Sequence, residues 1–116
     1  MRFLAGTTPD ASASYARRGF YQAGSTLGAY AGTGESSVFF CQYGNSISRG
    51  MTVCDVFIPN KAERTGINIR NVDTYSFDVY DISGTNTNTT QFTGIELTAV
   101  SGNMTGTVSV YGYRKP

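Results

Sequence analysis

The fold of this chain is indicated most directly by one stretch near its end, Phe92-Thr-Gly-Ile-Glu-Leu-Thr-Ala-Val-Ser-Gly-Asn-Met-Thr-Gly-Thr-Val-Ser-Val-Tyr-Gly-Tyr113. Polar and apolar residues alternate on both sides of a Ser-Gly-Asn turn at 101–103, which predicts two antiparallel strands. One face of the first strand carries Ile95, Leu97 and Ala99. The faces of the second strand carry Val108 and Val110 on one side and Thr107, Ser109, Tyr111 and Tyr113 on the other. The stretch therefore predicts a closing β-hairpin.

This ending resembles the closing hairpin of small β-sandwich proteins from tailed bacteriophage particles, in which a Thr-Gly-Thr-x-x-Val-Tyr-Gly-like strand often finishes the subunit. The resemblance covers residues 92–113. It implies a virion protein, assembled in the host cytoplasm, that acts as a capsid decoration (cement) subunit on the outer surface of the head shell and stabilises it. The alternative it implies is a tail-fibre or receptor-binding tip domain that recognises a host surface glycan or protein.

Composition narrows the class of protein. A chain of 116 residues makes one domain, and nine Lys and Arg residues against eight Asp and Glu residues give a net charge of +1. A protein that neutralises phosphates carries a clear basic excess, so nucleic acid is not expected as a partner. No apolar window has the length of a bilayer span, so no membrane partner is expected either.

Histidine is absent from the sequence. No Ser-His-Asp or Cys-His catalytic arrangement and no histidine-ligated zinc site can form within the chain. The remaining acids are scattered without a convergent pattern. We therefore expect a protein that is not an enzyme and that binds no cofactor.

The rest of the chain predicts an all-β fold. Residues 1–14 lack any strand or helix period and are expected to form an extended N-terminal arm, followed by a single β-sandwich domain over residues 15–116. Residues 15–22 and 26–30 are expected to form two short strands, or a strand and a loop. Further strands are expected near 36–43, 51–58, 67–72 and 75–82, with loops at 59–66 and 84–90. With the closing hairpin, about seven or eight short strands predict an antiparallel β-sandwich or a jelly-roll-like barrel.

Two cysteines, Cys41 and Cys54, flank the glycine-bounded loop 44–50. If this loop closes a hairpin, the two thiols lie opposite one another as possible cross-strand partners. Two buried free thiols that behave as small apolar side chains are the favoured interpretation. A disulfide formed after release of the particle is the alternative.

Three carboxylates, Asp73, Asp78 and Asp81, precede the polar loop and are the best candidates for a cation site. Their spacing matches no calcium loop, and Asp78 and Asp81 are expected on opposite faces of one strand. We therefore interpret them as solvated surface carboxylates and expect no metal.

Contacts with coat protein or with other subunits are predicted for the arm, for the basic aromatic stretch after it and for the charged loop. An arginine pair in that stretch is expected to bridge to acidic residues of a neighbouring subunit. The resemblance, together with the small core, implies as partners further copies of this chain, as a homotrimer, and the major capsid protein. The candidate contact residues are Arg2, Phe3, Pro9, Tyr15, Arg17, Arg18, Lys61 and Arg64.

Tyrosines suggest a different surface. Tyr80, Tyr111 and Tyr113, together with Tyr43, could form a receptor-binding or lectin-like face. Cross-strand aromatic ladders also stabilise sheets without any ligand, and this structural interpretation is the favoured one.

Overall fold

The structure is a computed structural model that describes residues 1–38, 50–99 and 101–112. These residues form eight strands in two antiparallel sheets and no helix. The strands are β1 (Arg2–Ala5), β2 (Thr8–Pro9), β3 (Tyr15–Ala23), β4 (Thr26–Glu35), β5 (Gly50–Phe57), β6 (Thr65–Asp73), β7 (Val79–Asn86) and β8 (Gly94–Glu96). The expected antiparallel β-sandwich is confirmed.

The two sheets differ in size. The larger sheet has five strands in the order β4-β3-β7-β6-β5, and the smaller has three in the order β2-β1-β8. Neighbours in sequence form the β3–β4, β5–β6 and β6–β7 pairs, whereas β3 pairs with β7 and β1 pairs with β8 across long stretches of chain. The predicted strands at 15–22, 26–30, 51–58 and 67–72 are thereby confirmed, with β4 and β6 longer than expected.

The core lies between the sheets. Every second residue of β6, from Thr65 to Asp73, is buried, as the strand period requires. From the smaller sheet, Phe3 stacks on Phe92 with ring centroids 5.0 Å apart and on Tyr15 at 6.0 Å. This aromatic stack joins both sheets to the segment that leads into β8.

A second aromatic group lies on the inner side of the larger sheet. The rings of Tyr21, Tyr30 and Tyr80 have centroids 5.1–6.0 Å apart. Tyr21 pairs with Gly28 across the sheet, and a Cβ on this glycine would lie 2.3 Å from the Tyr21 ring. The glycine therefore makes room for the ring that its cross-strand partner lays over it.

The segment expected to be an N-terminal arm belongs to the sandwich. Residues 1–14 contain β1 and β2, and Phe3 is fully buried. The amino group of Met1 donates to Val38 O at 2.8 Å, and Val38 N donates to Met1 O at 2.9 Å. The expectation was wrong because β1 is too short to display a period, and its main partner, β8, is distant in sequence.

The expected strand at 75–82 and the loop at 84–90 are displaced. β7 begins at Val79 and continues through Gly84 to Asn86. Apolar alternation at Tyr75, Phe77 and Val79 imitates a strand, although the first two lie on a turn. Gly84 lies within β7 at a position where the backbone of β3 is very close. A Cβ on this residue would be 2.9 Å from Ala16 O, which explains why a glycine occupies the position.

The predicted closing hairpin does not form. β8 contains only Gly94–Glu96 and pairs with β1, whereas residues 97–99 and 101–112 carry no strand. The predicted strand at 36–43 lies largely outside the described residues. Within the described parts of the chain, no helix has both the length and the apolar character needed to cross a membrane.

Candidate interaction surface

The larger sheet turns one face to the core and leaves the other, here called the outer face, uncovered within the described structure. Side chains alternate between the two faces along each strand. The burial patterns of β3 to β7 follow this period. The outer face consists of Arg18, Phe20 and Gln22 on β3, Leu27, Ala29 and Ala31 on β4, Met51, Val53, Asp55 and Phe57 on β5, Asn68, Arg70 and Val72 on β6, and Val79, Asp81 and Ser83 on β7.

One end of the outer face is apolar. The register aligns Met51 with Val72 and Val72 with Val79, so three apolar side chains stand side by side on adjacent strands. Gln22 continues this row and pairs with Leu27 on the edge strand β4. Leu27 is 76% exposed and Met51 is 65% exposed. Exposed apolar side chains thus stand in this row on four of the five strands.

The next row combines apolar and charged groups. Val53 pairs with Arg70, which pairs with Asp81, which pairs with Phe20. Arg70 Nε lies 3.2 Å from Asp81 Oδ2, and both side chains remain largely exposed. Phe20 is 66% exposed and borders a shallow hollow left by the small residues Ala29 and Ala31. An ion pair therefore lies between two apolar positions.

The turn that joins β6 to β7 extends the apolar end. Asp73 is buried there, its Oδ1 accepts a 2.9 Å bond from Tyr75 N, and its own N donates to Asp78 O at 2.8 Å. These bonds hold a turn in which Phe77 has a φ of 60° and is 79% exposed. A bulky residue in the left-handed region is strained, and such strain is concentrated at functional sites.

The interpretation as solvated surface carboxylates holds for Asp81, whose side chain is largely exposed, but is wrong for Asp73. Asp73 is buried and organises the turn, and Asp78 precedes β7, so it does not share a strand with Asp81. Asp81 is paired with Arg70. Among the described residues, no group of three or more His, Cys, Asp or Glu side chains is placed to hold a metal ion.

Several predicted contact residues have structural roles instead. Phe3 and Tyr15 are buried, and the Tyr15 hydroxyl accepts a 2.8 Å bond from Phe3 N. Burial raises the pKa of that hydroxyl. Neither residue can contact another subunit, so both predictions are wrong.

Two of the predicted arginines are held within the chain. Arg2 donates to Ser36 O and lies 3.9 Å from Glu96. Arg17 Nη2 lies 3.8 Å from Glu35 Oε1, and the Arg17 guanidinium lies over the Tyr30 ring. Half-buried Pro9 lies on β2, whereas Arg18, Lys61 and Arg64 are accessible, the first on the outer face and the others on the loop before β6.

Of the tyrosines in the alternative receptor face, the structure describes Tyr80 and Tyr111. Tyr80 is buried, and that burial, followed by the nearby charge of Asp78, raises its pKa. Tyr111 is exposed. Tyr43 and Tyr113 lie outside the described residues. The inclusion of Tyr80 in a receptor surface is therefore wrong.

Cys54 is a half-buried free thiol on the inner side of β5. Burial, together with the neighbouring Asp55 carboxylate, raises its pKa to about 11. Its predicted cross-strand partner, Cys41, lies outside the described residues.

Sequence analysis missed the outer face, although one signal for it was available. In β5, Met51, Val53 and Phe57 occupy one face, while Cys54 and Val56 occupy the other. Strands that are apolar on both faces are typical of sheets covered on both sides. Only the completed sheet reveals that the second side has no cover among the described residues.

Comparison with known proteins adds no relative: no protein-family model, no curated protein and no solved structure matches this chain. The outer face is therefore interpreted from its chemistry. Contiguous exposed apolar side chains with an embedded ion pair are suited to binding another protein.

Proposed function

We propose that this chain is a non-catalytic structural subunit that acts by protein–protein contact through its outer face, as a capsid decoration (cement) subunit of a tailed bacteriophage. The observation that carries the proposal is the concentration of exposed apolar residues on one sheet face. These residues are Phe20, Leu27, Met51, Val53, Phe57, Val72 and Val79. Solvent-exposed apolar patches of this kind mark interaction sites on soluble proteins.

The size of the outer face supports this use. Five strands about 4.8 Å apart, each running about eight residues at about 3.3 Å per residue, give roughly 600 Å². A standard interface takes about 800 Å² from each partner. The exposed side chains of Tyr75 and Phe77, on the turn between Val72 and Val79, extend the face towards that size.

The phage assignment is supported by the resemblance of residues 92–113. Because the described part of this stretch does not form the expected hairpin, we propose that the outer face makes the contact instead. Residues 1–14 are part of the sandwich. The shell is therefore contacted by a rigid sheet surface and not by an extended arm. The proposed partners are the major capsid protein and further copies of this chain, in a homotrimer.

Binding of this kind would stabilise the shell by mass action, since a subunit that binds only the assembled form shifts the equilibrium towards it. The test begins with the copy number of this chain in purified particles, measured by quantitative mass spectrometry against the major coat protein. Near parity supports decoration. A few copies would place the chain in the tail, as a receptor-binding tip, and absence would overturn the virion proposal.

A matched pair of variants then tests the surface. Val72→Asp places a charge at the apolar end of β6, whereas Thr89→Asp places the same charge on the exposed segment between β7 and β8, outside the outer face. We expect Val72→Asp to reduce the bound copies at least about tenfold, since it buries an unpaired charge. Thr89→Asp should bind as the parent does. Equal binding by the two folded variants would overturn the assignment of the outer face.

A further inference from the structure

Residues 104–112, Met-Thr-Gly-Thr-Val-Ser-Val-Tyr-Gly, have the sequence of a strand but occupy no sheet in the described structure. Val108 and Val110 alternate with Thr107 and Ser109, which is the pattern of a strand that buries one face. Yet Val108 is 64% exposed and Val110 is 83% exposed. The segment therefore has a face suited to burial that its own chain leaves in solvent.

Among the described residues, the smaller sheet has an unpaired edge at β8, where a further strand could add. In the order β2-β1-β8, one side of β8 pairs with β1 and the other is a sheet edge within the described residues. Ile95 pairs with Phe3 and so points towards the core, but it remains 39% exposed whereas Phe3 is fully buried. A core-facing isoleucine stays exposed here because none of the described strands lies beyond it.

The smaller sheet also covers the larger one incompletely. Its strands contain four, two and three residues, whereas those of the larger sheet contain eight to ten. An added strand beside β8 would widen the smaller sheet and shield Ile95 with apolar side chains. It would also satisfy the edge backbone groups that invite pairing with another chain.

We propose that residues 104–110 of one copy of this chain add as an edge strand to β8 of a second copy, with Val108 and Val110 facing its core. Pairing with the chain's own β8 would bury these valines, and the structure leaves them exposed. A second copy offers the same free edge. Main-chain hydrogen bonds would provide affinity, and the alternate valines would provide specificity, as in other strand-addition complexes.

Each copy would offer one donor segment and one acceptor edge. Reciprocal exchange would close a dimer, and cyclic exchange would close a ring such as a trimer. The proposal is independent of the outer face, so the two can fail separately. It concerns assembly of the chain with itself, whereas the outer face concerns its attachment to coat protein.

The test combines native mass spectrometry with amide hydrogen exchange of the full chain. The parent should form a closed assembly, with exchange across residues 105–110 slowed about tenfold or more. Val108→Asp/Val110→Asp should yield folded monomers with rapid exchange there. The matched variant Thr107→Asp/Ser109→Asp carries the same charges on the other face and should still assemble.

Three results would overturn the proposal. A parent that stays monomeric with rapid exchange at 105–110 would contain no added strand. A monomer with slow exchange there would contain an intramolecular hairpin. Assembly lost in Val72→Asp but retained in Val108→Asp/Val110→Asp would place self-association on the outer face.

A competition experiment tests the donor segment directly. A synthetic peptide of residues 104–112, added in excess to the full chain, should release monomers. The same peptide with both valines replaced by Asp should have no effect. If neither peptide or both peptides dissociate the assembly, the proposed pairing is wrong.

Discussion

Asn86 Nδ2 donates a 2.7 Å hydrogen bond to Asp10 Oδ2 across 76 positions of sequence. The same carboxylate accepts bonds from the backbone N and hydroxyl of Ser12 and from the Ser14 hydroxyl. Asn86 is fully buried at the end of β7, and Asp10 directly follows β2. This contact fastens the amino-terminal strands to the larger sheet.

Asp10→Ala should therefore destabilise the fold by about 1–3 kcal/mol, because it leaves the buried Asn86 amide without this acceptor. Asp10→Asn, which keeps one acceptor oxygen, should cost less. Urea unfolding followed by circular dichroism measures both. The control is Glu63→Ala on the exposed loop, for which we expect a change within about 0.5 kcal/mol. Equal stability of the Asp10→Ala and Glu63→Ala variants would contradict the prediction.

The same carboxylate should make stability depend on pH. Partial burial raises the pKa of Asp10, but hydrogen bonds from Ser12, Asn86 and Ser14 outweigh that effect and lower the pKa below its ordinary value of 3.8. Its contribution to stability is thus present above the ordinary pKa and is lost as pH falls below that value towards the folded-state pKa. As pH falls from the ordinary value of 3.8 towards the folded-state pKa, the unfolding midpoint should fall more steeply in the parent than in Asp10→Asn. Parallel pH profiles would show that this carboxylate has no such role.

Close packing of the β3 and β7 backbones predicts that a larger residue at Gly19 destabilises the fold. A Cβ at Gly19 would lie 2.2 Å from Asp81 O, whereas one at Gly66 would have its nearest neighbour at 3.5 Å, in the Phe57 ring. Gly19→Ala should therefore separate β3 from β7 and cost about 1–3 kcal/mol. Gly66→Ala, in the same sheet, should be neutral or slightly stabilising because the unfolded chain loses freedom. Thermal melts of the two variants provide the comparison, and similar melting temperatures would refute it.

The turn that carries Tyr75 and Phe77 should depend on Asp73. Asp73→Ala removes the acceptor of the Tyr75 amide and should cost about 1–3 kcal/mol. Asp78→Ala is the matched control, because its backbone carbonyl, which accepts from Asp73 N, is retained. Hydrogen exchange of the Tyr75 amide should accelerate only in Asp73→Ala. Acceleration in neither variant would mean that the turn is held in another way.

The thiol of Cys54 should react slowly in the folded protein. With Cys41→Ser in the background, it is the only thiol, and a pKa raised to about 11 by burial and by Asp55 keeps it protonated at pH 8. Alkylation should be about a hundredfold slower than in denaturing urea and should accelerate as pH rises. Equal rates in folded and unfolded protein would show that the thiol is accessible and ordinary.

The central strands were predictable because their signal is local. Ile67 and Ile69 alternate with polar residues, and β6 occupies the expected stretch with both side chains buried. Tyr75 and Phe77 show the same alternation, yet they lie between β6 and β7 and not in a strand. The buried Asp73 carboxylate accepts a hydrogen bond from Tyr75 N and holds the backbone there in a turn. Alternation indicates which residues could share a face, but it does not say where pairing starts.

The candidate surface was less accessible to sequence analysis than the fold. Phe20, Met51 and Val72 come from three different strands and become one surface only through the register of the larger sheet. The contact residues predicted from local charge and aromatic character included Phe3 and Tyr15, which are buried. Local chemistry cannot distinguish an aromatic residue that binds a partner from one that fills the core.

The sequence by itself determined an all-β antiparallel chain, because strand period and turn residues act over a few neighbouring positions. Only the tertiary structure decided that β1 pairs with β8 and that Phe3 enters the core. It also decided that the outer face and residues 104–112 remain in solvent within the described structure. Such choices depend on which distant strands pair and which faces are covered, and the free energies of those contacts belong to no single segment.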